Sequence, residues 1–354
     1  TSGNGNPNET LTNTTASPIT VTYVYTLTAN GCTNTQNVAV VVNPRPVLSS
    51  SLTPAAICSG TAFSYTPTSA TAGTTFSWNR ATVAGITPAG PTSGNGNPNE
   101  VLVNTTTAPV AVVYAYTLTA NGCSNTQNVT VTVNPGPVLS SSLTPPAICS
   151  GNVFNYTPTS ATAGTTFNWT RAFVAGILPA GPTSGTNNPM ETLTNTTASP
   201  ITVTYAYTIS ALGCTIVQNV TVVVNPGPVL TSTLTPPAIC SGTTFSYTPT
   251  SSTAGTTFSW TRANVVGITP AGPVTGTDNP NEVLTNLTSA PLTVTYTYSL
   301  NAAGCTSSQN VTVVVNPAPI LSSSLTPLPV CSNTAFSYTP TSATAGTSFT
   351  WNRA

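Results

Sequence analysis

The chain has 354 residues, of which only 3% are charged, against roughly 25% in an ordinary soluble domain. Its five basic residues are all arginine, histidine is absent and the formal net charge is zero. These counts leave no basic patch for nucleic acid and few groups for acid–base, Schiff-base or metal chemistry. We therefore expect a non-catalytic protein with no cofactor and no bound nucleic acid. No run of 18 apolar residues predicts a membrane span in this sequence.

The sequence repeats itself with a period of 91 residues. Each repeat carries one Arg, one Glu, one Trp and two Cys, and an Asn-Pro-x-Pro linker separates one repeat from the next. In chain order the predicted domains are the back half of a repeat (1–45), three complete repeats (46–136, 137–227, 228–318) and the front half of another (319–354). Because both ends fall inside a repeat, we expect a window cut from a longer protein.

The complete repeat 46–136 reads as short strands with alternating apolar residues and no helical period. The predicted strands are Val47–Thr53, Ala62–Thr68, Thr74–Arg80, Glu100–Thr105, Val110–Ala120 and Asn128–Val133. The intervening segment Val83–Asn99, rich in Gly, Pro and Asn, is expected to add one or two short edge strands. Asn121-Gly122 predicts a tight hairpin between the last two strands. Strand number, strand length and the single Trp predict an all-β tandem array of seven-strand, immunoglobulin-like sandwiches.

The cysteines form two series with the same period. One series is Cys58, Cys149, Cys240 and Cys331, and the other is Cys32, Cys123, Cys214 and Cys305. Two cysteines per repeat at fixed spacing indicate disulfides and an extracellular setting. Three regular pairings are open: 65 residues apart within a repeat, 26 apart across a linker, and 156 apart between successive repeats.

Topology favours the pairing between successive repeats. In an alternating sandwich Cys58 lies at the end where the chain leaves, and Cys123 at the end where it enters. A strand of seven residues spans about 23 Å, whereas bridged Cα atoms lie within about 7 Å. We therefore favour Cys58–Cys214 and Cys149–Cys305, which would stiffen each junction. The bridge within a repeat stays open, because a kinked first strand would move Cys58; the other four cysteines would then pair within a repeat or outside the window.

Three further sets of residues have a structural and a functional interpretation. The Arg–Glu pairs, 20 residues apart, are interpreted as exposed salt bridges contributing at most about 1 kcal/mol, with a ligand-binding pair as the alternative; they are Arg80–Glu100, Arg171–Glu191 and Arg262–Glu282. The tryptophans are interpreted as core residues: Trp78, Trp169, Trp260 and Trp351. Asn-x-Thr triplets at Asn104 and Asn128 leave glycan modification open.

Several motifs carry a resemblance to a known family. They are Cys58-Ser59-Gly60, Phe76-Ser77-Trp78, Tyr114-Ala115-Tyr116, Asn121-Gly122-Cys123 and Val133-Asn134-Pro135. They resemble the PKD-like, immunoglobulin-like repeats of Bacteroidota cell-surface proteins, which include gliding-type adhesins and other proteins exported by the type IX route. The resemblance implies a sandwich fold and a cell-surface location. The acidic Trp-Asp-Phe-Gly-Asp-Gly motif of polycystic-kidney-disease repeats is replaced here by Trp78-Asn79-Arg80-Ala81.

We expect a structural segment of an extracellular stalk or filament, whose partners are its neighbouring repeats and, through self-association, other copies. The alternative is an adhesin that binds glycan or host protein through the loops of Val83–Asn99 and its copies. A third hypothesis is that the front half 319–354 and the back half 1–45 complete one sandwich between chains.

Overall fold

The computed structural model describes all 354 residues and contains 26 β-strands and no helix. No helix long and apolar enough to cross a membrane is therefore present. The chain divides into two compact units, residues 1–143 with 157–169 and 206–219, and residues 144–156 with 170–205 and 220–354. Three sets of eight strands, called here the first, second and third sandwich, follow an N-terminal hairpin.

The hairpin consists of β1 (Ile19–Ala29) and β2 (Cys32–Val42). The first sandwich contains β3 (Ile57–Cys58), β4 (Thr61–Phe63), β5 (Thr75–Arg80), β6 (Ile86–Thr87), β7 (Thr92–Asn95), β8 (Glu100–Asn104), β9 (Val110–Ala120) and β10 (Cys123–Asn134). The second contains β11 (Ile148–Cys149), β12 (Asn152–Phe154), β13 (Thr166–Arg171), β14 (Ile177–Leu178), β15 (Thr183–Thr186), β16 (Glu191–Asn195), β17 (Ile201–Ala211) and β18 (Cys214–Asn225). The third contains β19 (Ile239–Cys240), β20 (Thr243–Phe245), β21 (Thr257–Arg262), β22 (Ile268–Thr269), β23 (Val274–Thr277), β24 (Glu282–Asn286), β25 (Leu292–Ala302) and β26 (Cys305–Asn316).

Each sandwich has a five-stranded and a three-stranded sheet. In the first sandwich the strand orders are β3-β10-β9-β5-β7 and β4-β8-β6, and the other two sandwiches repeat these orders. The pairings are antiparallel except that β3 runs parallel to the end of β10, with Cys58 opposite Asn134. The predicted all-β array of immunoglobulin-like sandwiches is confirmed.

The two long strands show why this sequence forms a sheet with one buried face. Residues of β9 alternate between buried and partly exposed, and Val112, Tyr114, Tyr116 and Leu118 are all fully buried. The period of two places these side chains on one face of the sheet. The turn between β9 and β10 has positive φ at Asn121 and Gly122, as a two-residue type I′ hairpin requires.

The first predicted strand, Val47–Thr53, does not form; instead Ile57–Cys58 occupies the sheet edge. Backbone bonding in this segment is sparse, with Ser49 N donating to Thr68 O at 2.8 Å. Ser50 Oγ bonds the Tyr65 hydroxyl at 2.6 Å and accepts from Thr68 N at 3.2 Å. Serine side chains that bond the backbone in this way compete with a regular ladder. With both predicted edge strands present, the sandwich has eight strands rather than seven.

The two terminal segments differ from the sandwiches. In the N-terminal hairpin, β1 pairs only with β2, and most residues of both strands are exposed or half-buried. The C-terminal segment, residues 319–354, has no strand and one isolated bridge, Leu321–Ser342. Core packing is therefore confined to the three sandwiches.

Candidate functional site

The most distinctive polar and covalent contacts lie where one sandwich meets the next. The structure joins Cys58, at the end of β3, to Cys214, at the start of β18, with an S–S distance of 2.03 Å and Cα atoms 5.6 Å apart. It joins Cys149 to Cys305 in the same way, with Cα atoms 5.5 Å apart. Both bridges have a sequence separation of 156 and connect successive sandwiches. This is the pairing that the end-to-end argument favoured.

The other four cysteines, Cys32, Cys123, Cys240 and Cys331, are free thiols. Cys123 is half-buried and the others are exposed. Cys58 and Cys123 therefore do not pair within the sandwich, because each lies at a different end of it.

The Asn-Pro-x-Pro linker is held against the hairpin turn of the following sandwich. Asn134 Nδ2 donates to Leu212 O at 2.8 Å. The equivalent bonds are Asn43 Nδ2 to Asn121 O at 2.8 Å and Asn225 Nδ2 to Ala303 O at 3.3 Å. The accepting residue has positive φ in each turn, 48°, 53° and 48° in chain order. The type I′ turn thus presents one carbonyl to each linker.

A glutamine from the last strand fixes the other end of the linker. Gln218 Oε1 accepts from Leu139 N at 2.6 Å. The equivalent bonds are Leu48 N to Gln127 Oε1 at 2.6 Å and Leu230 N to Gln309 Oε1 at 2.5 Å. Both prolines of these three linkers are buried: Pro44 and Pro46, Pro135 and Pro137, Pro226 and Pro228. Each linker is therefore bonded on both sides of a pair of buried rings.

The Arg–Glu pairs are buried, which corrects the expectation of exposed salt bridges. The Arg80 side chain is 0% exposed and the Glu100 side chain 13%. Arg80 Nε lies 3.0 Å from Glu100 Oε2, Arg80 Nη2 donates to Pro88 O at 3.0 Å, and Tyr114 Oη donates to Glu100 at 2.6 Å. The segment after β5 folds over the guanidinium and excludes water from it. The copies Arg171–Glu191 and Arg262–Glu282 have the same geometry at 2.9 Å.

Burial and bonding act on these groups in opposite directions. Burial by itself disfavours the Glu100 carboxylate, but the hydrogen bonds from Arg80 and Tyr114 and the charge of Arg80 outweigh it, so the pKa of Glu100 lies below its usual value. The pKa of Glu191 is lowered for the same reasons. Burial and the hydrogen bond to Glu100 raise the pKa of Tyr114 well above its usual value. The site thus holds a fixed ion pair and a neutral tyrosine, and no group poised to exchange protons near neutral pH.

Three of the predicted core tryptophans are buried: Trp78 at 7%, Trp169 at 5% and Trp260 at 4% exposed. Trp78 packs edge-on against Tyr114, with ring centroids 5.4 Å apart. Trp351, in contrast, is 89% exposed, so the core assignment is wrong for this copy. Residues 319–354 contain no counterpart of β9 and β10, the strands that supply the packing surface.

The structure gives Asn104 a role that the sequence analysis missed. This residue is 6% exposed, and its Nδ2 donates to Ala108 O and Val133 O, both at 2.8 Å. Its Oδ1 accepts from the backbone N of Thr106 at 2.9 Å. The Asn-x-Thr triplet is the signal, since Asn and Thr side chains commonly bond nearby backbone. With both amide hydrogens bonded inside the sandwich, Asn104 is unsuited to carry a glycan in the folded chain.

No group of three or more His, Cys, Asp or Glu side chains is placed to hold a metal ion.

The PKD-like domain family matches residues 55–137 and 237–319, which contain the first and third sandwiches. No curated protein sequence matches the chain significantly. Among solved structures, a three-domain I-band fragment of titin is 11% identical, covers 78% of this chain and 100% of its own, with a TM-score of 0.35. Drosophila N-cadherin extracellular domains are 10% identical (86% and 84% covered, TM-score 0.28), and those of mouse protocadherin-24 are 13% identical (76% and 98% covered, TM-score 0.30). At these values the likenesses carry no functional argument.

Proposed function

We propose that this chain is a non-catalytic structural segment of a long extracellular repeat protein that forms a stiff stalk or filament on a bacterial surface. The observation that carries the proposal is the double covalent connection of successive sandwiches, once through the proline linker and once through a disulfide. Disulfides of this kind persist in oxidising, extracellular settings. The PKD-like match supports a surface-protein context, and the motif resemblance supports Bacteroidota and type IX export.

Two separate connections restrict bending more than one does. A single linker permits rotation about every axis through it, whereas a second covalent link at a different point leaves rotation only about the line that joins them. The linker itself has little freedom, because its two prolines fix φ near −65° and are buried. The asparagine and glutamine bonds remove freedom that remains at its ends.

The disulfide also adds to the stability of the folded array. Closing a loop of 156 residues lowers the entropy of the unfolded chain by an amount worth about 5 kcal/mol at 25 °C. A strand of 12 residues such as β10 spans about 40 Å, so each added sandwich lengthens a stalk by about that distance. In this proposal the function lies in reach and stiffness.

We infer repeat units of residues 46–136, 137–227 and 228–318, with 1–45 and 319–354 as a back half and a front half. Each complete unit contains one full set of eight strands. Limited proteolysis under reducing conditions should cut within the linkers at 43–46, 134–137, 225–228 and 316–319 before it cuts within strands. First cuts inside the eight-strand sets would contradict these boundaries.

The test of stiffness uses the two junctions of one molecule as variant and control. In Cys58→Ser/Cys214→Ser the first disulfide is removed, whereas Cys149–Cys305 remains. Electron micrographs should show a broader distribution of angles at the first junction only, and small-angle scattering should show a more flexible particle. Cys123→Ser, which removes a free thiol, should leave both distributions unchanged.

Two results would overturn the stiffness proposal. One is a wild-type chain whose junctions already sample a wide range of angles. The other is a double variant whose first junction is as narrow as the second, which would mean that the linker alone sets the angle.

An adhesin is the second candidate, and one observation favours it. The loop after β13 exposes Phe173 at 63%, and the corresponding loop after β21 exposes Val266 at 88%. The equivalent residues differ between copies: Thr82 and Asn264 align with Phe173, and Ala84 and Ala175 with Val266. A glycan array and a binding assay with host-cell extracts test this function. Binding that falls in Phe173→Thr but not in the exposed control Val217→Thr would support it, and the absence of any binding would exclude it.

A further inference from the structure

The C-terminal segment, residues 319–354, presents apolar side chains that the sandwiches bury. Leu321, Phe336, Tyr338, Phe349 and Trp351 line one groove. Phe336 is 58% exposed and Trp351 89%. Their counterparts one period earlier, Phe245 and Trp260, are 2% and 4% exposed. The groove thus has the front half of a sandwich core, with the covering strands absent.

The N-terminal hairpin β1–β2 has the complementary face. Leu27, Val38 and Val40 are 50%, 52% and 38% exposed. Their counterparts in the first sandwich, Leu118, Val129 and Val131, are all 0% exposed. The hairpin therefore has the side chains of the two long strands that cover a groove of this type.

Charge complementarity also links the two segments. Arg353 aligns with Arg80, and Glu9 aligns with Glu100. Glu9 already accepts a hydrogen bond from Tyr23 Oη at 2.6 Å, as Glu100 does from Tyr114. A hairpin that covered the groove would bring Arg353 to Glu9 and rebuild the ion pair of the sandwiches.

We propose that the C-terminal segment of one copy and the N-terminal hairpin of a second copy complete a sandwich between chains. The joined sandwich would contain every strand counterpart except that of β6, because only the positions of residues 82–91 have no copy in either segment. The occupant of the groove is thus a second copy of this chain, and repetition of the contact gives a head-to-tail filament. The proposal is independent of the stiffness of the junctions.

The free cysteines support this register. Within the chain, the cysteine at the end of one sandwich bonds the hairpin-turn cysteine of the next. If the joined sandwich follows the third sandwich, the same rule pairs Cys240 with Cys32 of the second copy. It also pairs Cys331, in the joined sandwich, with Cys123 of the second copy. All four free thiols then have a partner.

The bonds form by thiol–disulfide exchange with a small-molecule disulfide. The thiolate of Cys240 attacks one sulfur of the small disulfide and releases one small thiol. The thiolate of Cys32 then attacks the protein sulfur of this mixed disulfide and releases the second. The two protein thiols lose two electrons and two protons, and the small disulfide takes up both to become two thiols.

The experiment uses an equimolar mixture of unlabelled and ¹⁵N-labelled chain, oxidised with oxidised glutathione. We expect oligomers in multiples of 35.8 kDa, with Cys240–Cys32 and Cys331–Cys123 peptides, about half of which carry one label. A chain that stays at 35.8 kDa overturns the proposal. Bridges that join only peptides with the same label, or that join other cysteines, also overturn it.

Charge reversal separates this register from random oxidation of exposed thiols. Each single variant, Arg353→Glu or Glu9→Arg, should lower the yield of oligomers at least tenfold, whereas the two variants mixed should assemble. Arg45→Glu is the matched control, because Arg45 is exposed outside both segments. A variant with serine at all four free cysteines should still associate reversibly in light scattering. Equal assembly of all variants, or no rescue on mixing, would contradict the proposed contact.

Discussion

Replacement of Arg80 by methionine tests whether the buried ion pair stabilises the first sandwich. Methionine keeps most of the apolar volume, but it removes the charge beside Glu100 and the donor to Pro88 O at 3.0 Å. The Glu100 side chain, 13% exposed, would stay largely buried without its cation. Breaking a buried pair costs about 3–5 kcal/mol. We expect the lower end, about 3 kcal/mol, since Tyr114 still donates to the carboxylate.

Hydrogen exchange measured by mass spectrometry resolves this effect by sandwich, which one melting temperature of a multidomain chain does not. A loss of about 3 kcal/mol corresponds to an increase of about 100-fold in the exchange rates of protected amides in β5 and β9. The third sandwich, with its own Arg262–Glu282 pair, is the internal control and should not change.

The double variant Arg80→Met/Glu100→Leu decides between loss of a charge partner and loss of packing. Apolar residues of similar volume often replace a buried pair without loss of stability, so exchange should return toward the wild-type rate. Faster exchange in the double than in the single variant would refute the reasoning. An increase of less than tenfold in the single variant would do so as well.

The remaining predictions concern the same sandwich. The lowered pKa of Glu100 contributes stability that is complete above its ordinary pKa of 4.5 and is lost as the pH falls through the lower folded value; melting between pH 6 and 2 should show this acid loss, and Glu100→Gln should reduce it. Gly94→Ala should destabilise by about 1–3 kcal/mol, because the new Cβ would lie 2.8 Å from Trp78 Cζ2, whereas Gly227→Ala, with no atom within 4 Å, should change calorimetric stability little. Asn104→Ala should cost about 1–3 kcal/mol by leaving buried carbonyls unbonded, while the exposed Asn128→Ala should stay within about 0.5 kcal/mol.

The sequence was sufficient to predict those features that depend on periodicity and chain direction. Alternation in β9 and the Asn121-Gly122 turn predict the long hairpin, and the positions of Cys58 and Cys123 at opposite ends disfavour a bridge within one sandwich. Burial of Arg80 was not predictable in this way. It depends on how residues 88–89 fold over the guanidinium, which spacing along the chain does not specify. Trp351 shows the converse: its local sequence matches that of Trp78, but its burial requires strands that are distant in sequence.

The junctions combine constant hydrogen bonds with one variable contact. Asn125 Nδ2 donates to Pro46 O at 2.9 Å, and Ser307 Oγ donates to Pro228 O. At the same position of the second sandwich, Ile216 packs against Gly136, where a Cβ would lie 2.8 Å from the Ile216 Cδ1 atom.

The larger side chain thus faces a linker residue without a Cβ, so the linker path does not have to change. Since the asparagine and glutamine bonds are present at all three linkers, they fix the linker, and the variable residue only fills the remaining space. Junctions that differ at this position should therefore bend equally little, which a repetitive stalk requires and a set of independent binding modules does not.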